Sequence, residues 1–281
     1  MPFGLSNAPA TFQAVMNDIF RPFLRKFVLV FFDDILVYSP DWIRHLEHLS
    51  LVRQVLHNDK FYVNLSKCSF AQLQVDYLGH VLFGRGVEME PTKLQAVCDW
   101  PIPSSVMQLR AFLKLIGYYR LFIRHYAAIV GPLVDLLQKN GFQLSPTAQA
   151  AFEHLKTVLV PVPMLALPYF STPFILETDA STSGIGAVLA QDGHPIAYFS
   201  KKLSSRLQQQ SAYVQELYDI TKAVAKFRHY LIGHHFVIHI DQCSLKHLQD
   251  QTIQTPEQEA WLPKLLVFLM PLSTNQAQQM Q

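Results

Sequence analysis

The sequence predicts a chain of mixed α+β and α/β architecture, and three observations carry that reading. The first is the pair Asp33-Asp34 between two apolar, β-branched runs, Phe27-Val28-Leu29-Val30 and Ile35-Leu36-Val37-Tyr38. This reads as a short hairpin with both acids at its bend. The second is a helical stretch from Pro101 to Val134 that contains no Asp or Glu but holds Arg110, Lys114, Arg120 and Arg124. The third is a succession of three strands, a long helix and a fourth strand between Pro173 and Asp241. Half of the 281 residues are apolar, enough for one large core or two moderate ones.

The elements follow in order. Ser6 or Asn7 caps a first helix with Pro9 in its first turn and Phe12, Val15, Met16 and Ile19 at helical spacing. The Asp-Asp hairpin comes next. A helix then runs from Trp42 to about Asn58, with Leu46, Leu49, Val52, Val55 and Leu56 on one side. Residues Asp76 to Val87 read as another hairpin around Gly84-Arg85-Gly86. Pro91 opens a helix towards Trp100, Pro101 and Pro103 break it, and Ser104 or Ser105 caps the next. From about 141 to 172 the chain is rich in Pro and suggests one helix within a tether between two domains.

The last region reads as strands Phe174–Asp179, Ile185–Ala190 and Pro195–Ser200, punctuated by Gly184 and by Asp192-Gly193. A helix from about Ser211 to Leu231 stops near Gly233, and Phe236–Asp241 is the fourth strand. Asp179 and Asp241 then end neighbouring strands, and Glu216 lies in the first turns of the helix.

The carboxylates point to metal chemistry. Two adjacent acids at the tip of a buried hairpin repel one another, and a divalent cation is the economical way to keep both ionised. Metal-held carboxylate sites commonly serve phosphoryl transfer. Plain turn chemistry is the alternative, because Asp is favoured in turns. The same reasoning applies to Asp179, Glu216 and Asp241, each of which alone also has an ordinary reading as a strand-end or helix-start acid. Between Pro101 and Val134, Tyr118, Tyr119 and Phe122 interleave with the basic residues, a combination suited to tracking a phosphate backbone and stacking on bases. The competing reading makes those aromatics core and those cations solvated.

Net charge is only +2, so no global basic field marks a nucleic-acid partner. Cys68, Cys98 and Cys243 form an odd, scattered set that implies neither a disulfide framework nor a zinc site. No signal-like leader and no apolar run long enough for a bilayer is present in the sequence. The expectation is a soluble intracellular protein without a membrane partner; its oligomeric state is not read from the sequence.

Met1-Pro2-Phe3-Gly4-Leu5-Ser6-Asn7-Ala8-Pro9-Ala10-Thr11-Phe12-Gln13, followed by the Asp-Asp hairpin, resembles the palm of reverse transcriptases. The likeness is to those of gypsy-type long-terminal-repeat retrotransposons common in plants. It continues through Lys67–Phe70, Val75–Val81, Phe112–Arg120, Thr178–Ser181 and Asp241–Leu248, covering nearly the whole chain in the family's order. The fold class it implies is a partial reverse transcriptase palm plus a helical thumb, followed by an incomplete ribonuclease H-like mixed-sheet domain. The implied divisions are palm 1–90, thumb 91–140, connection 141–172, ribonuclease H-like domain 173–268 and a disordered tail 269–281.

Residue by residue, the resemblance makes Asp33 and Asp34 the metal-holding pair of the polymerase, with Phe31 where many relatives have Tyr. Phe3, Gly4 and Gln13 match the nucleotide-binding segment and the helix behind it. Tyr77, Leu78, Gly79 and His80 match the turn that holds the primer end, and Arg110, Arg120 and Arg124 lie in the thumb that grips the primer-template. Asp179, Glu216 and Asp241 match three ribonuclease H carboxylates. Lys114 departs from the usual Gly, placing a charge where close packing is expected, and Gln242-Cys243 replaces His-Lys or Gln-Arg.

The implied cofactor is Mg2+, with Mn2+ able to substitute. The implied partners are RNA-DNA hybrid or primer-template, and deoxynucleoside triphosphates in full-length relatives. The implied location is the cytoplasm, in virus-like particles for intact relatives, or the nucleus. Only Asp18 precedes the hairpin, whereas the family carries a third polymerase carboxylate on an upstream strand. The polymerase is therefore expected to be inactive in this chain alone. The sequence from Glu257 to Met270 resembles a late helix, after which the family continues to a fourth ribonuclease H Asp absent here. A non-catalytic nucleic-acid-binding protein, or a decaying retroelement remnant, is the alternative.

Overall fold

Helical spacing of Phe12, Met16 and Ile19 builds α1 (Ala8–Ile19), with Pro9 in the first turn, where its missing N–H is not needed. The coordinates are those of a computed structural model, which describes residues 7–137, 142–160, 164–181 and 184–239. The chain divides into two units, Met1–Gly84 and Arg85–Gln281.

In the first unit, β1 (Val28–Phe31) and β2 (Asp34–Val37) pair antiparallel, with Val28 opposite Val37 and Phe31 opposite Asp34. Helix α2 (Trp42–Asn58) starts at Asp41, whose carboxylate accepts a hydrogen bond from the Arg44 N–H at 2.9 Å. Met16, Phe20, Val28, Val52 and Leu56 form a small core. Strands β3 (Gln74–Tyr77) and β4 (His80–Phe83) make a hairpin closed by Leu78 and Gly79, whose φ angles are 51° and 75°. Two positive φ values in a two-residue loop suit the strand twist, and Gly79 adopts its value without a steric cost. The stretch 76–87, read from sequence as one hairpin around Gly84–Gly86, thus contains an earlier turn at Leu78-Gly79.

The second unit begins with β5 (Gly86–Met89), paired antiparallel with β6 (Leu165–Ala166). A Cβ on Gly86 would lie 2.5 Å from the Leu165 carbonyl oxygen, so this strand contact requires glycine. Four helices follow β5: α3 (Pro91–Cys98), α4 (Val106–Tyr118), α5 (Tyr126–Leu136) and α6 (Pro146–Leu159). The Ser105 hydroxyl caps α4 by accepting from the Gln108 N–H at 3.3 Å. Leu109, Phe112, Ile116, Tyr119, Phe122, Leu133, Phe152 and Leu155 pack into one core. Residues 141–172 were expected to form a tether, but α6 contributes Ala148, Phe152, Leu155 and Leu159 to that core. The helix expected there is present, but it packs as part of the core. Lys114, expected to strain a close contact, is exposed.

The sheet consists of β7 (Phe174–Ala180), β8 (Gly184–Gln191), β9 (His194–Lys202) and β10 (Phe236–His239), in the spatial order β10-β7-β8-β9. The first three pair antiparallel, and β10 joins β7 in parallel. A short α7 (Ser205–Gln208) leads to α8 (Ala212–Leu231), capped by the Ser211 hydroxyl. Leu217, Ile220, Val224 and Phe227 of α8 pack on Phe174, Leu176 and Leu189 of the sheet. This is the strand-strand-strand-helix-strand order expected from sequence. Helix α5 is joined to β9 by the Ala127 N–H, which donates to the Ser200 hydroxyl at 2.8 Å, and by Lys202 Nζ, 2.9 Å from Asp135 Oδ1. Among the described residues no helix is long and apolar enough to cross a membrane. The late helix and the 269–281 tail lie outside the described residues.

Candidate functional site

Pairing of Phe31 with Asp34 leaves Phe32 and Asp33 as the hairpin turn. Asp34 is therefore the first residue of β2 rather than part of the bend. Both carboxylates are exposed, not buried as the sequence suggested, because the strands are four residues long and only Val28 of the pair is fully inside. Phe32 has a φ of 51°, a left-handed conformation uncommon for a bulky residue. Its N–H donates to Gln13 Oε1 at 2.6 Å. Tyr77 on β3 is half-buried, and its phenol is raised above the usual range by burial and, second, by the charge of Asp34. The turn Leu78-Gly79, with His80 opening β4, thus belongs to the hairpin whose Tyr77 feels the charge of Asp34. Phe3 and Gly4 lie outside the described residues.

In the second unit, alternation along β7 puts Glu177 and Asp179 on one face and Thr178 on the other. Asp179 lines a cavity of about 350 Å³ together with Arg124, His125, Glu177, Gly186 and His239. Arg124 and His125 come from the segment just before α5, so the helical part supplies a cation to the wall that carries the strand carboxylates. Glu216, in the second turn of α8, is buried. Asp241 lies outside the described residues.

A further carboxylate, Asp219, was not singled out from sequence. It lies one helical turn beyond Glu216 and is 0% exposed. Burial pushes its carboxyl up to about 8; the Glu216 and Asp179 carboxylates push the same way, and the backbone amides of Gly186 and Asp179 oppose them. Those amides lie close enough to favour the charged form, yet among the described residues neither Asp219 oxygen completes a hydrogen bond, nor does the buried Thr178 hydroxyl. Asp179 and Glu216 both act on Asp219, so the end of β7 and the start of α8 converge as the topology implied. Spacing of three on a helix was the available signal, since it places two acids on adjoining positions of one face.

Hard carboxylate oxygens and orphaned buried polar atoms suit a divalent cation by chemistry. Among the described residues, however, no three His, Cys, Asp or Glu side chains stand in a geometry that could hold one. The described residues alone do not close a metal site in either unit.

Arg110, Arg120 and Arg124 are all exposed, and none forms an ion pair among the described residues. Of the interleaved aromatics, Tyr118 is 52% exposed, whereas Tyr119 and Phe122 belong to the core. Burial pushes the Tyr119 phenol up to about 12. Of these three aromatics, Tyr118 alone is exposed.

Residues 1–82 match the family model described as reverse transcriptase (RNA-dependent DNA polymerase). Residues 144–238 match that described as RNase H-like domain found in reverse transcriptase. The chain belongs to the reverse transcriptase family of retrotransposon Pol polyproteins.

It is 40% identical over 267 residues to the retrovirus-related Pol polyprotein from transposon 297 of Drosophila melanogaster, covering 94% of this chain and 25% of that protein. It is 35% identical over 246 residues to that from transposon gypsy of the same organism, covering 83% and 24%. The transposon Tf2-3 polyprotein of Schizosaccharomyces pombe is 35% identical over 237 residues, covering 82% and 18%. The chain thus spans about a quarter or less of these relatives.

Among solved structures, the foamy viral protease-reverse transcriptase in complex with RNA/DNA hybrid gives a TM-score of 0.78 at 21% identity, covering 94% of this chain and 37% of that one. The same protein with dsDNA gives 0.79 at 22%, covering 97% and 57%. These two show the fold.

Proposed function

We propose that this chain binds RNA-DNA hybrid along its helical segment and hydrolyses the RNA strand at the β7–α8 end of the sheet. The observation that carries this reading is the cavity in which Asp179 shares a wall with Arg124, while Glu216 and Asp219 converge on the same strand end. Asp179, Glu216 and Asp241 would hold Mg2+, or Mn2+ in its place. Bound divalent cations supply a water of lowered pKa and stabilise charge on the leaving oxygen. The chain's own contribution is positional. Arg124 neutralises a phosphate at the mouth of the cavity, Arg110 and Arg120 fix the backbone on either side, and Tyr118 offers a face to a base.

The palm hairpin fits the same scheme as a descendant of the polymerase site, where Asp33 and Asp34 would hold metal, Gln13 would stand on the helix behind the nucleotide site, and Tyr77 to His80 would lie at the primer end. Polymerisation of deoxynucleoside triphosphates is not proposed for these 281 residues. No third acid stands with the exposed Asp33-Asp34 pair among the described residues.

The second reading, hybrid binding without cleavage, is favoured by the exposed Arg set, which forms no ion pair among the described residues. Both readings require those cations. Replacing Arg110, Arg120 and Arg124 together with Gln is expected to make the slope of log affinity against log salt shallower by about 2–3. Fluorescence anisotropy on a labelled hybrid at several salt concentrations measures this. An unchanged slope would place the hybrid elsewhere on the protein.

A further inference from the structure

We infer that Gln13 is a positioning residue for the Asp33-Asp34 pair: its side-chain amide on α1 sets the strained turn that carries Asp33 and leads into Asp34 at the start of β2. The amide is committed on both ends. Oε1 accepts from the Phe32 N–H at 2.6 Å, and Nε2 donates to the Val30 carbonyl at 3.3 Å and to Asn17 Oδ1 at 2.9 Å. Asn17, one turn further along α1, thereby fixes which end of the Gln13 amide faces the hairpin. Gln13 thus bridges the last residues of β1 and the first residue of the turn, across 19 positions of sequence.

Phe32 is the residue that needs holding. Its φ of 51° is disfavoured for an aromatic side chain, and such a conformation persists only where surroundings over-determine it. Gln13 supplies one of those determinants, because the Phe32 N–H finds its acceptor outside the hairpin. Rotation of that peptide would redirect Asp33, the next residue, and Asp34, the first residue of β2. The half-buried Gln13 amide has both functions occupied, which argues for holding the turn rather than for contacting a nucleotide directly.

The consequence for metal rests on the proposal that Asp33 and Asp34 bind a divalent cation; the geometry does not. Two measurements on the full chain separate them. Hydrogen exchange resolved to single amides is expected to show the Phe32 N–H exchanging about tenfold faster in Gln13→Met, which keeps the volume and loses the acceptor. Protection should return in Gln13→Glu, which restores an acceptor, with Leu36 and Val37 of β2 unchanged in both. Equal Phe32 exchange in wild type and Gln13→Met would overturn the inference.

Mn2+ binding followed by electron paramagnetic resonance is expected to weaken about tenfold in Gln13→Met, as for lost support behind a ligand. Full affinity in that variant would overturn the positioning role. Wild-type protein whose Mn2+ binding is indifferent to Asp33→Asn would sink the metal reading of the pair. The exchange result would then decide the role of Gln13 in the turn by itself.

Discussion

Replacing Asp219 with Asn is expected to remove a fall in stability that the metal-free wild-type chain undergoes between about pH 4 and about pH 8. The folded carboxyl is raised from 3.8 to about 8, so the folded state binds the extra proton throughout that interval. Stability tied to this group is fully present below the unfolded value and is lost as pH rises through the folded one. A displacement of that size corresponds to a loss on the order of 5 kcal/mol. Its cause is desolvation at a position with 0% exposure, reinforced by Glu216 and Asp179, and the amides of Gly186 and Asp179 offset only part of it. Urea unfolding in EDTA at pH 5 and pH 8.5 measures the effect. The wild type should lose several kcal/mol between the two, and Asp219→Asn should lose little. Parallel losses in both proteins would show that the buried carboxyl is not the source.

The second large effect lies in the helical core. Phe152 of α6 is fully buried, with its ring centroid 4.5 Å from that of Phe112, and Lys156 Nζ sits 5.0 Å over it. Phe152→Ala removes those contacts and leaves a cavity, at an expected cost of about 3–5 kcal/mol in urea unfolding. A tether helix would instead lose no more than about 0.5 kcal/mol, as at an ordinary surface position. The measurement therefore distinguishes the packing of α6 from the linker that its Pro-rich flanks suggested.

Periodic elements were legible before any coordinates. Alternation and turn residues placed β7, β8 and β9, the Ser211 cap and Gly233 bounded α8, and the apolar spacing of α2 fixed both its ends. What escaped the sequence depended on contacts between distant segments. Gln13 meets Phe32 across 19 residues, and nothing in either local pattern announces that hydrogen bond. Asp219 looked like one polar residue on an amphipathic helix. It is buried because α8 is enclosed on more than its apolar face, with Gln215, Glu216 and Thr221 also inside. Tyr119 and Phe122 misled in the opposite sense. Adjacent to Arg residues, they read as a stacking surface, yet three-dimensional packing claimed them for the core and left Tyr118 outside. Burial of Asp33 and Asp34 was overestimated because strongly apolar flanks do not enclose a hairpin whose strands are only four residues long.

The placement of Asp179 and Arg124 on one cavity is the part of the account on which function turns. Its most direct test is single-turnover cleavage of a hybrid carrying labelled RNA, in Mg2+ and in Mn2+, by wild type, Asp179→Asn and Glu216→Gln, each shown to be folded. The account predicts slow, metal-dependent cleavage by the wild type and at least about a hundredfold loss in either variant, as when a preorganised electrostatic group is removed. Absence of cleavage by folded wild-type protein, or cleavage indifferent to both substitutions, would contradict it.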